Sequence, residues 1–494
     1  MRTGYIFFFF FFITSKAVAQ GHFTFSPEIG KIYEKTLSLR LTEARNLLGQ
    51  VRENDPKNLM VWLVEDYIDF FTVFIREDEK EFKVLLANKD RRIREIRGGD
   101  KNSPYLLYAE ADIRLHWALL HLRFEEYFTA FTEVNKAFKL LNKNREQFPD
   151  FMPNLKDLGI LHAAVGTIPD NYKWGVEWLT SLEGDIGQGQ REIEQLLAYA
   201  KNNPFPFEAE TTVLYAFLLL HLGNEKDKAW EVINTHVLEP HVNPLHCFVM
   251  ANLAMRTGHN DEAIKLLENR PQSRTFLPMP YLEFMLGLAK LRRLDHDTGK
   301  HFQAYLNTFK GRHFIKEAWQ KLAWSALLDG NTEGYKSYLQ NCLTKGIASS
   351  GSDKNALKEA QSGQLPDLRL FKARLLFDGG YYNKAYDLLK NQKTEDFPDK
   401  YSQLEYTYRL GRILQGLERN TEAIHYYNMT INSGRNESWF FACNAALQTG
   451  IIYETTHKKQ EAIRAYQLCL SISPDEYETG LHQQAKAGLG RLKG

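Results

Sequence analysis

Three clusters in this chain bring together residue types that do chemistry elsewhere. Gly184-Asp185-Ile186-Gly187-Gln188-Gly189 sets glycines ahead of a helical pattern, where free backbone amides can hold an anion. No strand pattern precedes them and no lysine follows at P-loop spacing, so the segment reads as a capped loop-to-helix turn. His236, His241 and His246 recur every five residues beside Glu239 and Cys247, all types that bind zinc. Five-residue spacing does not stack ligands on one helix face, and Pro240 and Pro244 interrupt the segment, which reads as a turn between helices. His116 and His121 share that spacing. Adjacent carboxylates such as Glu125-Glu126 read as solvated helix faces and name no acid–base pair. There is no HExxH, no GxSxG at a strand end and no EF-hand loop. Catalytic, cofactor and metal residues are all expected to be none, and the chain is expected not to be an enzyme. Asn428-Met429-Thr430 and Asn436-Glu437-Ser438 fit the glycosylation sequon, which matters only in a eukaryotic secretory pathway.

The elements that would position any site are helices. Apolar residues recur at three- and four-residue spacing nearly throughout, and no convincing alternating strand is found. Short breaks such as Asp55-Pro56-Lys57-Asn58, Asn203-Pro204-Phe205-Pro206 and Ser473-Pro474-Asp475 separate helical segments of about 12–20 residues. The 494 residues carry 62 basic and 61 acidic side chains, 44% hydrophobic residues and 13% aromatics. That composition excludes a disordered chain, and so even a balance gives no reason to expect nucleic acid as a partner. The four cysteines, Cys247, Cys342, Cys443 and Cys469, are far apart and lack CxxC pairing. The fold is therefore not expected to rest on a disulfide framework, and Cys443 and Cys469 read as buried small residues.

Residues 1–19 read as a secretory signal peptide: Arg2, an apolar run from Tyr5 to Ile13 with Phe7 to Phe12 consecutive, then Ala17 and Ala19. The run is far short of the ~20 residues that span a bilayer. Cleavage is expected after Ala19, leaving Gln20 first, an exported chain and a count of 60 basic against 61 acidic residues. No later stretch is apolar for long enough to be a transmembrane segment.

Length alone suggests about three domains, but internal repetition replaces that expectation. Gly379-Gly380-Tyr381-Tyr382-Asn383-Lys384-Ala385, Asn420-Thr421-Glu422-Ala423-Ile424 and Lys459-Gln460-Glu461-Ala462-Ile463 follow one grammar, with Ala385, Ala423 and Ala462 at 38- and 39-residue spacing. Twelve residues before each alanine stands another small residue, Ala373, Gly411 or Gly450, and four after the last two stand Tyr427 and Tyr466. These residues resemble the tetratricopeptide repeat (TPR), in which two antiparallel helices approach closely at small side chains. The likeness extends upstream through Ala229, Ala251, Ala263, Gly287 and Phe302 and covers roughly 205–342 and 365–480. Gly299 departs from the usual alanine.

The resemblance implies an all-α, right-handed TPR-like α-solenoid of antiparallel helix pairs. About 38 residues per unit divides the 475 residues after the leader into about a dozen pairs. The expected organisation is a signal peptide (1–19), irregular helical hairpins (20–165), a loop-rich insertion (166–190), degenerate TPR-like repeats (191–344), a polar connector (345–366), and C-terminal repeats with a capping helix (367–494). In the connector, Ser352 or Asp353 is expected to cap a short helix through Leu357. The insertion is similar, over about 30 residues, to a eukaryotic TPR family tied to the mitochondrial outer membrane and inclusion-body clearance, but lacks that family's basic residue after the aspartate.

By the same resemblance, the inner helix of each repeat lines the concave face. Its positions here are Arg374, Phe377, Tyr408, Arg412, Gln415, Asn444 and Glu454, residue types suited to an extended peptide or acidic tail. The expected function is an exported, non-enzymatic, periplasmic or extracellular scaffold that binds a protein or peptide partner. A glycan-binding envelope protein and an enzyme with its site in 166–190 are the alternatives. Exposed tryptophans clustered in a groove would favour glycan; arginine, asparagine and tyrosine would favour peptide.

Overall fold

The computed structural model describes residues 20–165, 184–235 and 238–492. The signal-peptide expectation and most of the 166–190 insertion lie outside the described residues, as does His236. The described residues form 24 α-helices and no strand. Two isolated backbone bridges, Gly21 to Gly99 and His22 to Asn58, seat the first described residues against later turns.

Consecutive helices pair antiparallel through short turns, giving an all-α TPR-like solenoid. Its cores form a series along the chain rather than one centre. The first spans Ile29 to Leu277, then come clusters over Ala163–Leu253, Cys247–Ala289 and Phe284–Leu375, and the last covers Leu370–Ala485. Neighbouring clusters share helices, as nearest-neighbour stacking requires.

Helix crossing explains the small residues. A Cβ on Gly411 would lie 2.7 Å from the Tyr427 ring, and one on Gly450 would lie 2.6 Å from the Tyr466 ring. Ala373, Ala385, Ala423 and Ala462 are fully buried. Gly189 meets the backbone of Gly159 where helix Ile186–Ala200 crosses helix Asn154–Val165. That crossing, rather than an anion, accounts for one glycine of the Gly184–Gly189 run.

Separate stretches of the solenoid also touch. Leu277 donates its amide to Leu39 O at 2.7 Å, Tyr381 Oη bonds Asp261 Oδ1 at 2.7 Å, and Arg491 Nη1 reaches Leu222 O at 3.0 Å. These bonds tie together repeats that are far apart in the sequence.

Residues 345–366 hold a helix, Gly351–Ser362, longer than the sequence pattern predicts. Its cap is Ser350, not Ser352 or Asp353: Ser350 Oγ accepts from Asp353 N at 3.0 Å. Asp353 is fully buried and serves the preceding inner helix, Ile315–Leu328. Its carboxylate accepts from Phe314 N at 2.8 Å and Glu317 N at 3.1 Å. Local sequence shows a cap-competent residue but not which helix end it meets.

Candidate functional site

Five inner helices carry cations that share electrostatic neighbours. They are Pro244–Arg256 with Arg256, Tyr281–Arg293 with Arg292, Ile315–Leu328 with Lys321, Leu368–Asp378 with Arg374, and Lys400–Gly416 with Arg412. The Arg374 guanidinium lies over the Trp324 ring, 4.7 Å from its centroid, and Arg412 lies over Phe377 at 4.9 Å. Such stacking fixes a cation without neutralising it. Arg292 bonds Met255 O at 3.2 Å and Arg256 bonds Asn252 Oδ1 at 3.1 Å, both neutral acceptors. None of the four arginines makes an ion pair among the described residues, and Arg412 Nε is buried without a hydrogen-bond partner.

Their electrostatics mark them as neighbours. Burial pulls Arg292 below the usual arginine range; Asp378 opposes that and Arg256 adds to it. Burial also works to lower Arg374, but Tyr477, Asp378, Glu359 and Glu405 outweigh it and raise the net value. Lys321 is lowered by burial and feels both Arg374 and Arg292. Burial and Arg412 lower Lys226, while burial and Arg256 bring His221 down to about 4. Lys226 and His221 nonetheless keep exposed surface.

The residues singled out from sequence divide into two sets. Arg374, Phe377 and Arg412 come together as stacked, half-buried side chains. Tyr408, Gln415, Asn444 and Glu454 are engaged internally. Tyr408 is buried and accepts from Asn444 Nδ2 at 2.8 Å, whose Oδ1 accepts from Gln448 at 3.0 Å. Gln415 accepts from Tyr427 at 2.6 Å. Glu454 is held by Arg491 at 2.7 Å and by the Tyr466 hydroxyl. These four brace the last inner helices. Arg256 and Arg292 escaped sequence reasoning because they lie five residues after the small residues Ala251 and Gly287 rather than one.

Asn243 caps helix Pro244–Arg256 at the inter-helix turn, accepting from Leu245 N at 2.9 Å, and His246 Nδ1 accepts the Glu239 amide at 3.0 Å. Cys247 is fully buried and faces Leu266 O. No group of three metal-competent side chains is found among the described residues. Asp185 caps helix Ile186–Ala200 through Gln188 N at 2.8 Å, the turn expected from the sequence. Asn428 and Asn436 are exposed, but Thr430 of the first sequon is buried against Thr407. An open pocket of about 530 Å3 lies between helix Pro27–Leu37 and the 239–246 turn, lined by Tyr33, Lys35, Arg40 and His246 among others.

A second polar assembly had no signal in the sequence. Lys156 is fully buried and donates to Asp112 at 3.1 Å and Glu210 at 2.9 Å; Glu210 also accepts from Tyr33 and Tyr67, each at 2.8 Å. Beside it, Arg92 bonds Glu65, Asp66 and Asp69, and His116 bonds Asp66 at 3.0 Å. Aromatic rings of Tyr33, Tyr67, Tyr108 and Phe207 seal the lysine cluster. Here charges join inner helices where the C-terminal repeats use apolar packing.

No family model and no curated protein matches this chain. Solved structures of helical-repeat proteins do. A Rap protein complexed with competence and sporulation factor is 12% identical, covers 82% of this chain and 96% of its own, and gives a TM-score of 0.33. The Cut9–Hcn1 assembly of APC/C is 12% identical over 93% and 96%, with a TM-score of 0.27. The apo quorum sensor NprR from B. thuringiensis is 10% identical over 82% and 97%, with a TM-score of 0.28.

Proposed function

We propose that this chain is an exported, non-enzymatic scaffold that holds an extended segment of a partner protein along its concave face. The observation that carries this reading is the pair of stacked cations, Arg374 on Trp324 and Arg412 on Phe377, half-buried and without ion-pair partners among the described residues. Aromatic area with arginine forks is the composition of peptide-binding hot spots. The glycan alternative has less support, because no described tryptophan is exposed: Trp117 and Trp324 are buried and Trp62, Trp230, Trp319 and Trp439 are half-buried. The enzyme alternative places its site in 166–190, most of which lies outside the described residues.

The test is site-specific photocrosslinking in the source cells. A benzophenone amino acid replaces Phe377 inside the groove or Arg464 on the outer helix. A protein adduct mapped to one peptide segment from position 377 and absent from 464 supports the reading. Equal adducts from both positions, or none from 377, overturn it.

A further inference from the structure

The register of the last repeat brings two cysteines level with each other. Helices Phe441–Thr455 and Lys459–Leu470 form an antiparallel hairpin that packs closely at Gly450 and Ala462. Cys443 lies seven residues before Gly450, and Cys469 lies seven after Ala462. Those equal steps of about two turns each keep the two positions side by side across the hairpin. The preceding repeat has Leu404 and Thr430 at the same offsets, so this pairing belongs to the last repeat alone.

The side chains complete what the register prepares. The two sulfur atoms are 3.6 Å apart, and Cys443 Sγ also lies 3.4 Å from Cys469 O. A disulfide sets its sulfurs about 2.05 Å apart, so closing the bond asks for a further approach of about 1.5 Å. Cys247 and Cys342 differ: their sulfurs face the carbonyl oxygens of Leu266 and Lys316. Cys443 and Cys469 belong to no group of three metal-competent side chains among the described residues, so the pair does not make up a zinc ligand set.

We propose that Cys443 and Cys469 are a disulfide-forming pair whose bond staples the two helices of the last repeat. The oxidant is a second disulfide, either a small molecule such as oxidised glutathione or the disulfide of a thiol oxidoreductase. One cysteine thiolate attacks it, forms a mixed disulfide and expels one thiolate. The other cysteine thiolate attacks the cysteine sulfur of the mixed disulfide and expels the second. The pair loses two electrons and two protons, and the oxidant takes them up to leave as two thiols. Both cysteines are fully buried, and the Cys443 hydrogen bond together with burial pushes the Cys469 thiol well up. The exchange therefore takes place while the last repeat is folding or frayed, and the closed stack then shields the product. The bond joins positions 26 residues apart and restricts the unfolded chain. It also fixes the support of helix Glu478–Arg491, whose Leu481 O lies 4.0 Å from Cys469 Sγ. That helix carries Arg491, which bonds Glu454 of the hairpin and Leu222 O of a distant repeat. Formation of the bond in the source cell rests on the export reading above; formation in the purified chain does not.

The experiment starts from the reduced full chain with its four thiols. It is incubated with oxidised glutathione in urea below the unfolding midpoint, quenched in acid and alkylated in full denaturant. Two alkyl groups instead of four are expected, on Cys247 and Cys342, with one non-reduced peptide pair joining Cys443 to Cys469. The urea midpoint of the oxidised chain is expected above that of the reduced chain, and Cys443→Ala with Cys469→Ala is expected to abolish the difference. Should that variant fail to fold, the peptide map of the unaltered chain still decides the pairing. Four alkyl groups after oxidation, glutathione held separately on Cys443 and Cys469, pairing with Cys247 or Cys342, or a midpoint no higher than that of the reduced chain overturns the proposal. Acid quenching of source cells separates this inference from the export reading. A bond formed in the purified chain but absent in the cell counts against export and leaves the pair standing, whereas no bond in the purified chain removes the pair whichever compartment holds it.

Discussion

Lys156 and Glu210, 54 residues apart, meet at 2.9 Å, and Asp112 lies 3.1 Å from the same fully buried ammonium. Burial works to lower the lysine pKa, but Asp112, Asp157 and Glu210 outweigh it and hold it well above its ordinary value. The ammonium is thus the hub joining helices Tyr105–Arg123, Asn154–Val165 and Glu208–Leu218. Removing it leaves buried carboxylates unpaired, which typically costs about 3–5 kcal/mol. Lys156→Met is therefore expected to lower the urea midpoint sharply, and adding Asp112→Leu is expected to recover part of the loss. An unchanged midpoint in Lys156→Met would count against this hub.

Asp157, on the same helix, supplies a pH test. Burial pushes its carboxyl up to about 7, with Lys156 opposing and Asp112 and Glu210 reinforcing. A folded-state pKa above the unfolded one means that the native state binds the extra proton. This contribution is fully present below the unfolded value near 4 and is lost as pH rises through about 7, at up to about 1.4 kcal/mol per pH unit. Asp157→Asn should flatten that slope in urea melts taken between pH 5 and pH 8. A slope unchanged by the substitution would assign the pH dependence to another group.

This assembly also explains where sequence reading stopped. The C-terminal repeats were legible because Gly411 under Tyr427 and Gly450 under Tyr466 impose residue types at fixed spacing. Helix Tyr105–Arg123 instead buries Glu110, Asp112, Arg114 and His116 along with its apolar residues, so polarity no longer separates inside from outside. Arg374 and Arg412 were legible because each follows the small residue of its repeat, Ala373 or Gly411. Arg256 and Arg292 lie five residues after the small residues of their repeats, Ala251 and Gly287, so the position that points to Arg374 and Arg412 does not point to them.

The cap supplied by Asp353 crosses from one helix to another. Its buried carboxylate accepts the Phe314 and Glu317 amides as well as the Ser350 hydroxyl at 2.6 Å. Asp353→Ala orphans two amides at the start of an inner helix, and a loss of about 1–3 kcal/mol is expected. Asp353→Asn, which keeps one acceptor oxygen, should lose less. Equal losses in the two variants, read from thermal or urea melts, would argue that packing rather than capping sets the cost.

The close crossings predict an asymmetric response to small substitutions. Gly411→Ala and Gly450→Ala each drive a methyl group to within 2.7 Å of a tyrosine ring, and those rings are themselves fully buried. Overpacking of this kind costs about 1–3 kcal/mol. Gly351→Ala and Gly490→Ala meet nothing within 4 Å and lie in helices with ordinary backbone, so neither should lower stability, since alanine favours a helix over glycine. Four single variants and their melting temperatures decide the matter. If Gly411→Ala proves neutral, Tyr427 has room to retreat and the small-residue rule does not set the helix crossing there.

Cys443 and Cys469 face each other across such a crossing with sulfur atoms 3.6 Å apart, and both are fully buried free thiols. Cys247 and Cys342 are also buried, and burial pushes them up to about 11 and about 12. All four should therefore resist a thiol reagent in the native protein, because the reactive species is the thiolate and access requires opening of the stack. Denaturant should release four reactive groups. Their appearance in urea, followed against the fluorescence transition, reports which repeats open first. Coincident release of all four would mean that the middle and C-terminal repeats unfold as one unit, whereas earlier release of Cys443 and Cys469 would mark the end of the stack as the first to fray.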